Sequence, residues 1–260
     1  EGFYSDMQSD KFPTQVAKNL YVVKDFNDSI YKQIINSKLE ETGKYVYSDV
    51  GYYFSKILIE RLSKTTLNNY VYNQFYKPMN LGLMYLPLTK YPASQIAPTE
   101  LDKNFRKQQI RGYVHDQGAA LLGGVAGHAG LFGNANDVAI IMQMLLNNGE
   151  YGGIQFLDST IIHQFTSSQY PNNRRGLCFD KPELDESKDS PVTKACSLKS
   201  FGHSGFTGTF AWADPENGLV FVFLSNRVYP SADENKLAKL GIRGKIHRTL
   251  YEALDINTYK

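Results

Sequence analysis

The pentapeptide Gly202-His203-Ser204-Gly205-Phe206 contains residue types that could perform nucleophilic catalysis. It nearly matches G-x-S-x-G, in which the serine lies at a sharp turn between a strand and a helix. Phe206 replaces the last glycine, and the residues after Ser204 are typical of a strand, not a helix. An α/β-hydrolase with Ser204 as nucleophile therefore conflicts with the motif twice and is kept only as an alternative.

The sequence does not indicate a metal or phosphate site. The five histidines are dispersed, and none forms an HxxxH pair or lies close to a cysteine. The glycine-rich residues 123–133 lack both the GK[ST] ending and the preceding strand of a nucleotide-binding loop, so tight packing explains them better. The two cysteines, Cys178 and Cys196, are too few for a disulfide framework. The sequence leaves a single disulfide between them as an alternative. We expect neither metal nor cofactor.

The composition argues against several classes of protein. The chain has 28 basic and 26 acidic residues, with no dense basic run, so we expect no nucleic-acid partner. It contains no apolar run long enough for a membrane span. The opening EGFYSDMQSD has neither an initiating Met nor a signal-peptide pattern, so we expect a processed product or a fragment.

The N-terminal half of the chain is predicted to be helical and irregular. Helices are expected near Asp28–Lys38 and over Asp49–Ser63 and Leu67–Tyr76, the second because apolar residues recur in it at helical spacing. The rest of residues 1–45 is polar and irregular. Residues 77–112 contain several prolines and no clear periodicity, which predicts a long loop.

Further along, helices give way to strands. Short helices are predicted at Asp116–Leu122 and at residues 158–167, and Asn134 is expected to cap a helix over Ala135–Leu146. The last third contains the predicted strands and a final helix. They are Arg175–Phe179, Thr207–Asp214 and Leu219–Ser225, with a hairpin turn at Pro215–Gly218, and an amphipathic helix over Asp233–Leu254. This order predicts one α+β domain over residues 1–260.

Three segments together resemble the superfamily of serine β-lactamases, penicillin-binding proteins and related esterases. They are YSDVGYYFSKILIERLSK, RGYVHDQGAALLGGVAGHAGLFGNANDVAIIMQMLLNNGEYGG and FGHSGFTGTFAWADPENGLVFVFLSNR. The chain is most similar to β-lactamase-related bacterial hydrolases that are sometimes fused behind a family-three glycoside hydrolase. The resemblance covers residues 40–254. It implies a β-lactamase-like fold, with a mainly helical and loop part over 40–200 and sheet strands plus a C-terminal helix over 201–260.

The resemblance also implies three catalytic motifs. The first is S-x-x-K, which carries the acylated serine. The second, Tyr-x-Asn, is matched by Tyr47-Ser48-Asp49, and the third, Lys-Thr-Gly or His-x-Gly, by His203-Ser204-Gly205. Such a serine needs a base to become nucleophilic, and the phenol of Tyr47 could move that proton. The resemblance further implies that the Phe206 N–H forms half of an oxyanion hole. It places Ser48, Ser204 and Thr207 beside the substrate.

The chain departs from this pattern at the first motif. The serine should precede Tyr47 by far more than 46 residues, and the sole literal match is Ser29-Ile30-Tyr31-Lys32. About one such match is expected by chance, so we reject Ser29 as the nucleophile. We therefore expect the fold to be incomplete at its N-terminus and the chain to be inactive as given. We also expect the isolated chain to self-associate through an open sheet edge or to lack full stability.

Two substitutions bear on the substrate. Asp49 replaces an amide, and an ionised carboxylate cannot donate a hydrogen bond. His203 stands where a lysine often anchors a substrate carboxylate, and an imidazole is mostly neutral at pH 7. Both changes disfavour an anionic β-lactam and favour an ester or a small peptide. The resemblance implies a small-molecule ester, an amide or a cell-wall peptide as substrate.

Each candidate residue also has a structural explanation. Tyr47 could be a packed aromatic, Asp49 a helix cap and His203 a strand histidine bonded to the backbone. Ser204 and Gly205 could be turn residues. The sequence therefore favours a serine hydrolase fragment and leaves as alternative a non-catalytic binding or packing module, fused in some contexts to a glycosidase. A cell-wall substrate would imply a periplasmic or secreted protein.

Overall fold

The computed structural model describes residues 2–43, 45–171, 173–185 and 187–254. These residues form two compact units. The first unit comprises residues 1–76, 83–132 and 229–231, and the second comprises residues 77–82, 133–228 and 232–260. The assignment of residues 1–260 to a single domain stays a prediction.

Most of the predicted helices are confirmed to within a few residues. The α-helices are α1 (Phe26–Ile35), α2 (Val50–Ser63), α3 (Leu67–Val71), α4 (Gln117–Leu121), α5 (Ala135–Leu146), α6 (Ser159–Thr166), α7 (Lys236–Lys239) and α8 (Ile242–Ala253). The α3 helix continues as a π-helix over Tyr72–Tyr76. As predicted, the Asn134 side chain caps α5 by accepting from the Asp137 N–H, at 3.0 Å.

The strands form four small antiparallel sheets in the described residues. They are β1 (Tyr4–Ser5), β2 (Thr14–Ala17), β3 (Leu20–Val22), β4 (Pro98–Asp102), β5 (Gln108–Arg111), β6 (Glu150–Tyr151), β7 (Ile154–Gln155), β8 (Phe201–Ser204), β9 (Phe210–Asp214) and β10 (Leu219–Phe223). The predicted hairpin around Pro215–Gly218 is confirmed, since β9 pairs with β10. The α+β fold class is confirmed as well.

The irregular N-terminal region contains a sheet that the sequence did not predict. Strand β3 lies between β1 and β2, and Val16 and Val22 from this sheet are buried in the core of the first unit. Each strand has only two to four residues. Such a short segment gives no readable alternation of apolar and polar positions.

The predicted loop over residues 77–112 is wrong for residues 98–111, which form the β4–β5 hairpin. The Asp102 carboxylate organises its turn by accepting from the N–H groups of Asn104 and Phe105, at 3.0 and 2.9 Å. It also accepts from Arg106 Nε at 2.8 Å. A turn held by one buried side chain leaves little trace in hydrophobic periodicity.

Two C-terminal predictions are also wrong. The single helix over Asp233–Leu254 is broken into α7 and α8, because Gly241 adopts a φ of +60° between them. No strand forms over Arg175–Phe179, which lies wholly within the described residues. A single bridge joins Asp180 to Gly202 instead.

The β8–β9–β10 sheet is the core of the second unit. One face carries Phe201 and Ala213, which pack with Met142 of α5. The other face carries Phe210 and Trp212, which pack with Tyr251 of α8. The two-residue alternation of a strand thus separates two apolar layers. This packing fixes β8, and with it the His203-Ser204 segment.

Candidate active site

The first candidate segment, Tyr47-Ser48-Asp49, leads directly into α2 in the first unit. Tyr47 is 58% exposed. The Ser48 hydroxyl accepts a hydrogen bond from the Val50 N–H at 3.2 Å. Asp49 occupies the N-cap position, but its side chain makes no capping hydrogen bond. The alternative in which Asp49 merely caps the helix is therefore not supported by its contacts.

The second candidate segment lies on β8 in the second unit. His203 pairs with Ala211 and Ser204 pairs with Phe210. His203 Nδ1 lies 2.9 Å from the Ser204 carbonyl oxygen. A carbonyl oxygen can only accept, so Nδ1 carries the proton, and in the neutral ring Nε2 is the basic nitrogen. The alternative of a strand histidine bonded to the backbone is thus observed, and this bond holds the ring in one tautomer.

The polar backbone groups of this segment alternate between the two sides of β8. Gly202 bonds to Asp180 on the side away from β9, with N–O distances of 2.7 and 3.0 Å. The Gly205 N–H points the other way and donates to the Thr209 carbonyl at 2.8 Å. Phe206 follows in the turn after β8, beyond the last residue that pairs with β9.

The turn after β8 depends on two glycines. A side chain at Gly205 would collide with the Thr209 hydroxyl. Gly208 has a φ of +110°, and a Cβ there would lie 2.5 Å from Ser225 Oγ. Its N–H donates to the Gly205 carbonyl at 3.0 Å. The close packing of this turn explains why both positions lack a side chain.

Two arginines that no sequence motif indicated brace this turn. Arg227 Nε donates to the Phe206 carbonyl at 2.7 Å, and the Arg227 N–H donates to the Thr207 carbonyl at 2.9 Å. Arg243 Nη1 donates to the Thr209 carbonyl at 3.1 Å. Burial lowers the pKa of Arg243, and the nearby Arg227 lowers it further. Among the described residues, neither guanidinium lies within ion-pair distance of a carboxylate, so positive charge is concentrated beside the turn.

The rival nucleophiles lack suitable geometry. Ser204 is the last residue of β8, and β9 follows it, so the strand–turn–helix elbow of an α/β-hydrolase is absent from this segment. Ser29 lies inside α1, where its hydroxyl is 3.4 Å from the Asp25 carbonyl oxygen. Neither observation supports these serines as attacking groups.

Tyr47 and His203 belong to different units. The roles that the resemblance implies for these two residues stay predictions.

Neither a metal site nor a disulfide is found in the part of the chain that the structure describes. No group of three or more His, Cys, Asp or Glu side chains there could hold a metal ion. Cys178 is exposed, Cys196 is buried, and both are free thiols. No helix within the described ranges is both long and apolar enough to cross a bilayer.

Comparison with known sequences gives a consistent family. A family model described as Beta-lactamase matches residues 3–243. A relative from Escherichia coli K12, called "Putative D-alanyl-D-alanine carboxypeptidase", is 33% identical over 222 residues, which are 80% of this chain and 51% of the relative. A relative of the same name from Salmonella typhi is 36% identical over 197 residues, 71% of this chain and 45% of the relative. The chain spans about half the length of these relatives.

Solved structures show the same fold. A penicillin-binding protein homologue from Caulobacter crescentus has a TM-score of 0.55 and 19% identity, with 78% of this chain and 58% of the homologue covered. A beta-lactamase from Mycobacterium bovis has a TM-score of 0.53 and 17% identity, with 80% and 64% covered. These similarities bear out the β-lactamase-like fold expected from the three sequence segments.

Proposed function

We propose, from the fact that this chain belongs to the beta-lactamase family, that it forms part of a serine hydrolase of carboxypeptidase type. The substrate would be an amide, above all a short peptide with a free terminal carboxylate. The observation that carries the proposal is the end of β8, where His203 is held in one tautomer directly before the turn that contains Phe206. The relatives named as carboxypeptidases support the same class of substrate.

The proposed reaction is acyl transfer through a serine. The serine hydroxyl attacks the amide carbonyl, and its proton passes through Tyr47 to the departing amine. The tetrahedral oxyanion accepts a hydrogen bond from the Phe206 N–H. Water then hydrolyses the acyl-serine. Removing one such donor typically lowers kcat by about 100- to 1000-fold. Asp49 and His203 would orient the substrate, with Ser48, Ser204 and Thr207 beside it.

Charge beside the turn favours an anionic substrate end. From the sequence, Asp49 and His203 disfavour an anionic β-lactam, because neither supplies the usual amide donor or lysine. Arg227 and Arg243 supply two cations next to Thr207 and Thr209. Guanidinium groups bind carboxylates in a bidentate manner. A peptide with a C-terminal carboxylate therefore fits better than an uncharged ester.

The attacking serine would come from polypeptide outside these residues. The chain covers about half of its relatives' length. In addition, α2 has no buried residue, and four of its apolar side chains are exposed. The exposed ones are Val50, Phe54, Leu58 and Leu62. Such a contiguous apolar surface is typical of a contact site. We propose that the part of the longer polypeptide that carries the serine packs on this face.

The experiment uses the longer natural polypeptide. It is treated with a fluorophosphonate or a labelled penicillin, and the modified serine is located by peptide mapping. We expect one labelled serine outside these 260 residues, loss of labelling in Tyr47→Phe, and faster hydrolysis of an acyl-D-alanyl-D-alanine peptide than of p-nitrophenyl acetate. Labelling of Ser204 or Ser29 would overturn the proposal.

A second candidate is a non-catalytic binding module, exported or fused to a glycoside hydrolase. It is favoured by one observation, namely that the sole S-x-x-K in these residues begins at the rejected Ser29. In that case the longer polypeptide would remain unlabelled but would still bind the peptide in a calorimeter. An enzyme would be labelled and would turn the peptide over.

A further inference from the structure

Asp116 and His128 form a polar pair in the first unit, next to the first turn of α2. His128 belongs to the glycine-rich stretch for which the sequence suggested only tight packing. Its Nε2 lies 3.0 Å from Asp116 Oδ1. The same carboxylate oxygen accepts the Ala119 N–H at 2.7 Å and so caps α4. One carboxylate therefore ties His128 to the start of α4.

The Asp116 carboxylate selects the tautomer of His128. Burial alone would raise the pKa of Asp116, but hydrogen bonds from His128 and from the Ala119 N–H lower it overall. An ionised carboxylate only accepts hydrogen bonds, so His128 Nε2 must carry a proton. The His128 side chain is only 4% exposed, and its Nδ1 has no hydrogen-bond partner among the described residues. The ring is thus held by one directional bond.

The His128 ring also supports α2. It stacks on the Tyr53 ring, with centroids 4.7 Å apart and an angle of 18° between the planes. Tyr53 lies in the first turn of α2, close after Asp49. The hydroxyl of Tyr31 lies 3.4 Å from the Tyr53 carbonyl oxygen. The side chain and backbone of Tyr53 are therefore contacted from two other segments of the first unit.

Two glycines allow this approach. A Cβ at Gly118 would collide with the Tyr53 hydroxyl, and a Cβ at Gly127 would lie 2.6 Å from the Tyr52 carbonyl oxygen. Burial raises the pKa of Tyr53, and Asp116 and Asp49 raise it further. Tyr53 therefore stays a neutral phenol at neutral pH.

We propose that Asp116 and His128 are positioning residues, which fix the first turn of α2 through Tyr53 and thereby set the place of Tyr47, Ser48 and Asp49. The proposal rests on the proposed function for its catalytic meaning. The structural part of the proposal does not depend on that function, because it concerns only the conformational order of the segment that contains Tyr47, Ser48 and Asp49.

The first test is amide hydrogen exchange, read by mass spectrometry, on the 260-residue chain. His128→Gln keeps a donor but loses the stack, His128→Phe keeps the stack but loses the donor, and Asp116→Asn keeps an acceptor. We expect exchange over residues 47–56 to rise by about tenfold or more in His128→Ala and Asp116→Ala. In the three conservative variants, exchange over these residues should be faster than in the parent and slower than in the two alanine variants. His163→Phe, at an exposed position of α6, is the matched control.

Nitrogen chemical shifts give a second readout that a purely structural role would not move. His128 Nε2 should carry a proton with the chemical shift of a hydrogen-bonded group, and this hydrogen-bond shift should be lost in Asp116→Ala but kept in Asp116→Asn. Unchanged exchange over residues 47–56, or a uniform rise over the whole first unit, would overturn the proposal.

The longer polypeptide separates this inference from the proposed function. We expect His128→Phe to lower kcat by about 10- to 100-fold, since small misplacements of catalytic groups have effects of this size, while KM changes little. If Tyr47→Phe abolishes hydrolysis but no variant of His128 or Asp116 affects it, the positioning role is wrong and the proposed function stands. If Tyr47→Phe has no effect, the proposed function fails, and hydrogen exchange still decides the positioning role.

Discussion

Arg227 holds Phe206 in two ways at once. Its Nε donates to the Phe206 carbonyl at 2.7 Å, and its guanidinium lies 4.1 Å from the centroid of the Phe206 ring. Since 64% of the Phe206 surface is exposed, core packing does not hold this side chain. The place of the Phe206 N–H thus depends on a residue beyond the end of β10.

The first prediction concerns this brace. Replacing Arg227 with Met removes both contacts, so the proposed oxyanion donor should lose its fixed position and kcat of the longer polypeptide should fall by about 100-fold. Arg227→Lys keeps the charge but not the planar fork, so it should restore only part of the rate. Steady-state kinetics on an acyl-D-alanyl-D-alanine peptide measure this. Arg61→Met, an exposed arginine of α2, is the control, and equal rates in both Met variants would disprove the brace.

The second prediction concerns Gly208. Alanine there would have to adopt a φ of +110° and would meet Ser225 Oγ. We expect Gly208→Ala to lower the free energy of unfolding by more than about 1 kcal/mol. Gly244→Ala is a contrasting control, because Gly244 lies within α8 and nothing lies within 4 Å of its added Cβ. That substitution should raise stability by about 0.5–1 kcal/mol. Urea unfolding of the 260-residue chain measures both.

The third prediction concerns His247, which is 1% exposed. Burial lowers its pKa from 6.5 to about 4, and Asp214 offsets this only in part. The unfolded chain therefore binds a proton more readily than the folded chain between these values, so stability should be complete above about pH 6.5 and should fall as the pH drops toward about 4. His247→Phe can keep the stacking on Phe221 and should flatten this part of the pH profile. If the parent and His247→Phe lose stability equally between about pH 7.5 and 5, the assignment is wrong.

The fourth prediction concerns the buried pair of Asp102 and Arg106, which are 4% and 3% exposed. Arg106 also donates to the carbonyl oxygens of Val114 and His115, at 2.6 and 2.8 Å. Removing one partner leaves a buried charge, so Arg106→Met should destabilise the first unit by about 3–5 kcal/mol. Lys103→Met, at an exposed position of the same hairpin, should have little effect. Chemical unfolding followed by circular dichroism measures both.

Asp102 adds a pH dependence to the same pair. Burial raises its pKa, but the hydrogen bonds from Arg106 and the backbone outweigh this and lower it overall. The ionised Asp102 carboxylate therefore stabilises the folded chain above the pKa that Asp102 has in the unfolded chain. This stabilisation is lost as the pH falls through the pKa that Asp102 has in the folded chain. Asp102→Asn should be less stable than the parent at neutral pH, and the difference should shrink in acid. A constant difference across the pH range would contradict this.

The fifth prediction concerns self-association of the 260-residue chain. The exposed side chains of Leu58 and Leu62 on α2 and the outer edge of β10 both offer contact surfaces. We expect concentration-dependent oligomers by light scattering. Leu58→Glu with Leu62→Glu should reduce them if α2 is the contact, and should leave them unchanged if the sheet edge is. A cooperatively melting monomer at all concentrations would rule out both.

Local sequence signals predicted the elements that are stabilised locally. The cap at Asn134 and the turn at Pro215–Gly218 each act within a few residues, and both are observed. The short strands β1 to β3 and the hairpin closed by Asp102 were missed. Their stability comes from burial and from a side-chain-organised turn, which hydrophobic periodicity does not report.

The motif segments were recognisable in the sequence from residue types at fixed spacing. They were sufficient to predict the family and to select Tyr47 and His203 as candidate site residues. The distant residues that contact those segments were not readable from the sequence. His128 meets Asp116 across 12 residues, and Arg227 meets Phe206 across 21. Such contacts form only when packing brings distant parts of the chain together, because nothing in the local sequence favours one partner over another. Spacing along the chain therefore indicated the family and the candidate residues, whereas packing decided which distant side chains contact them.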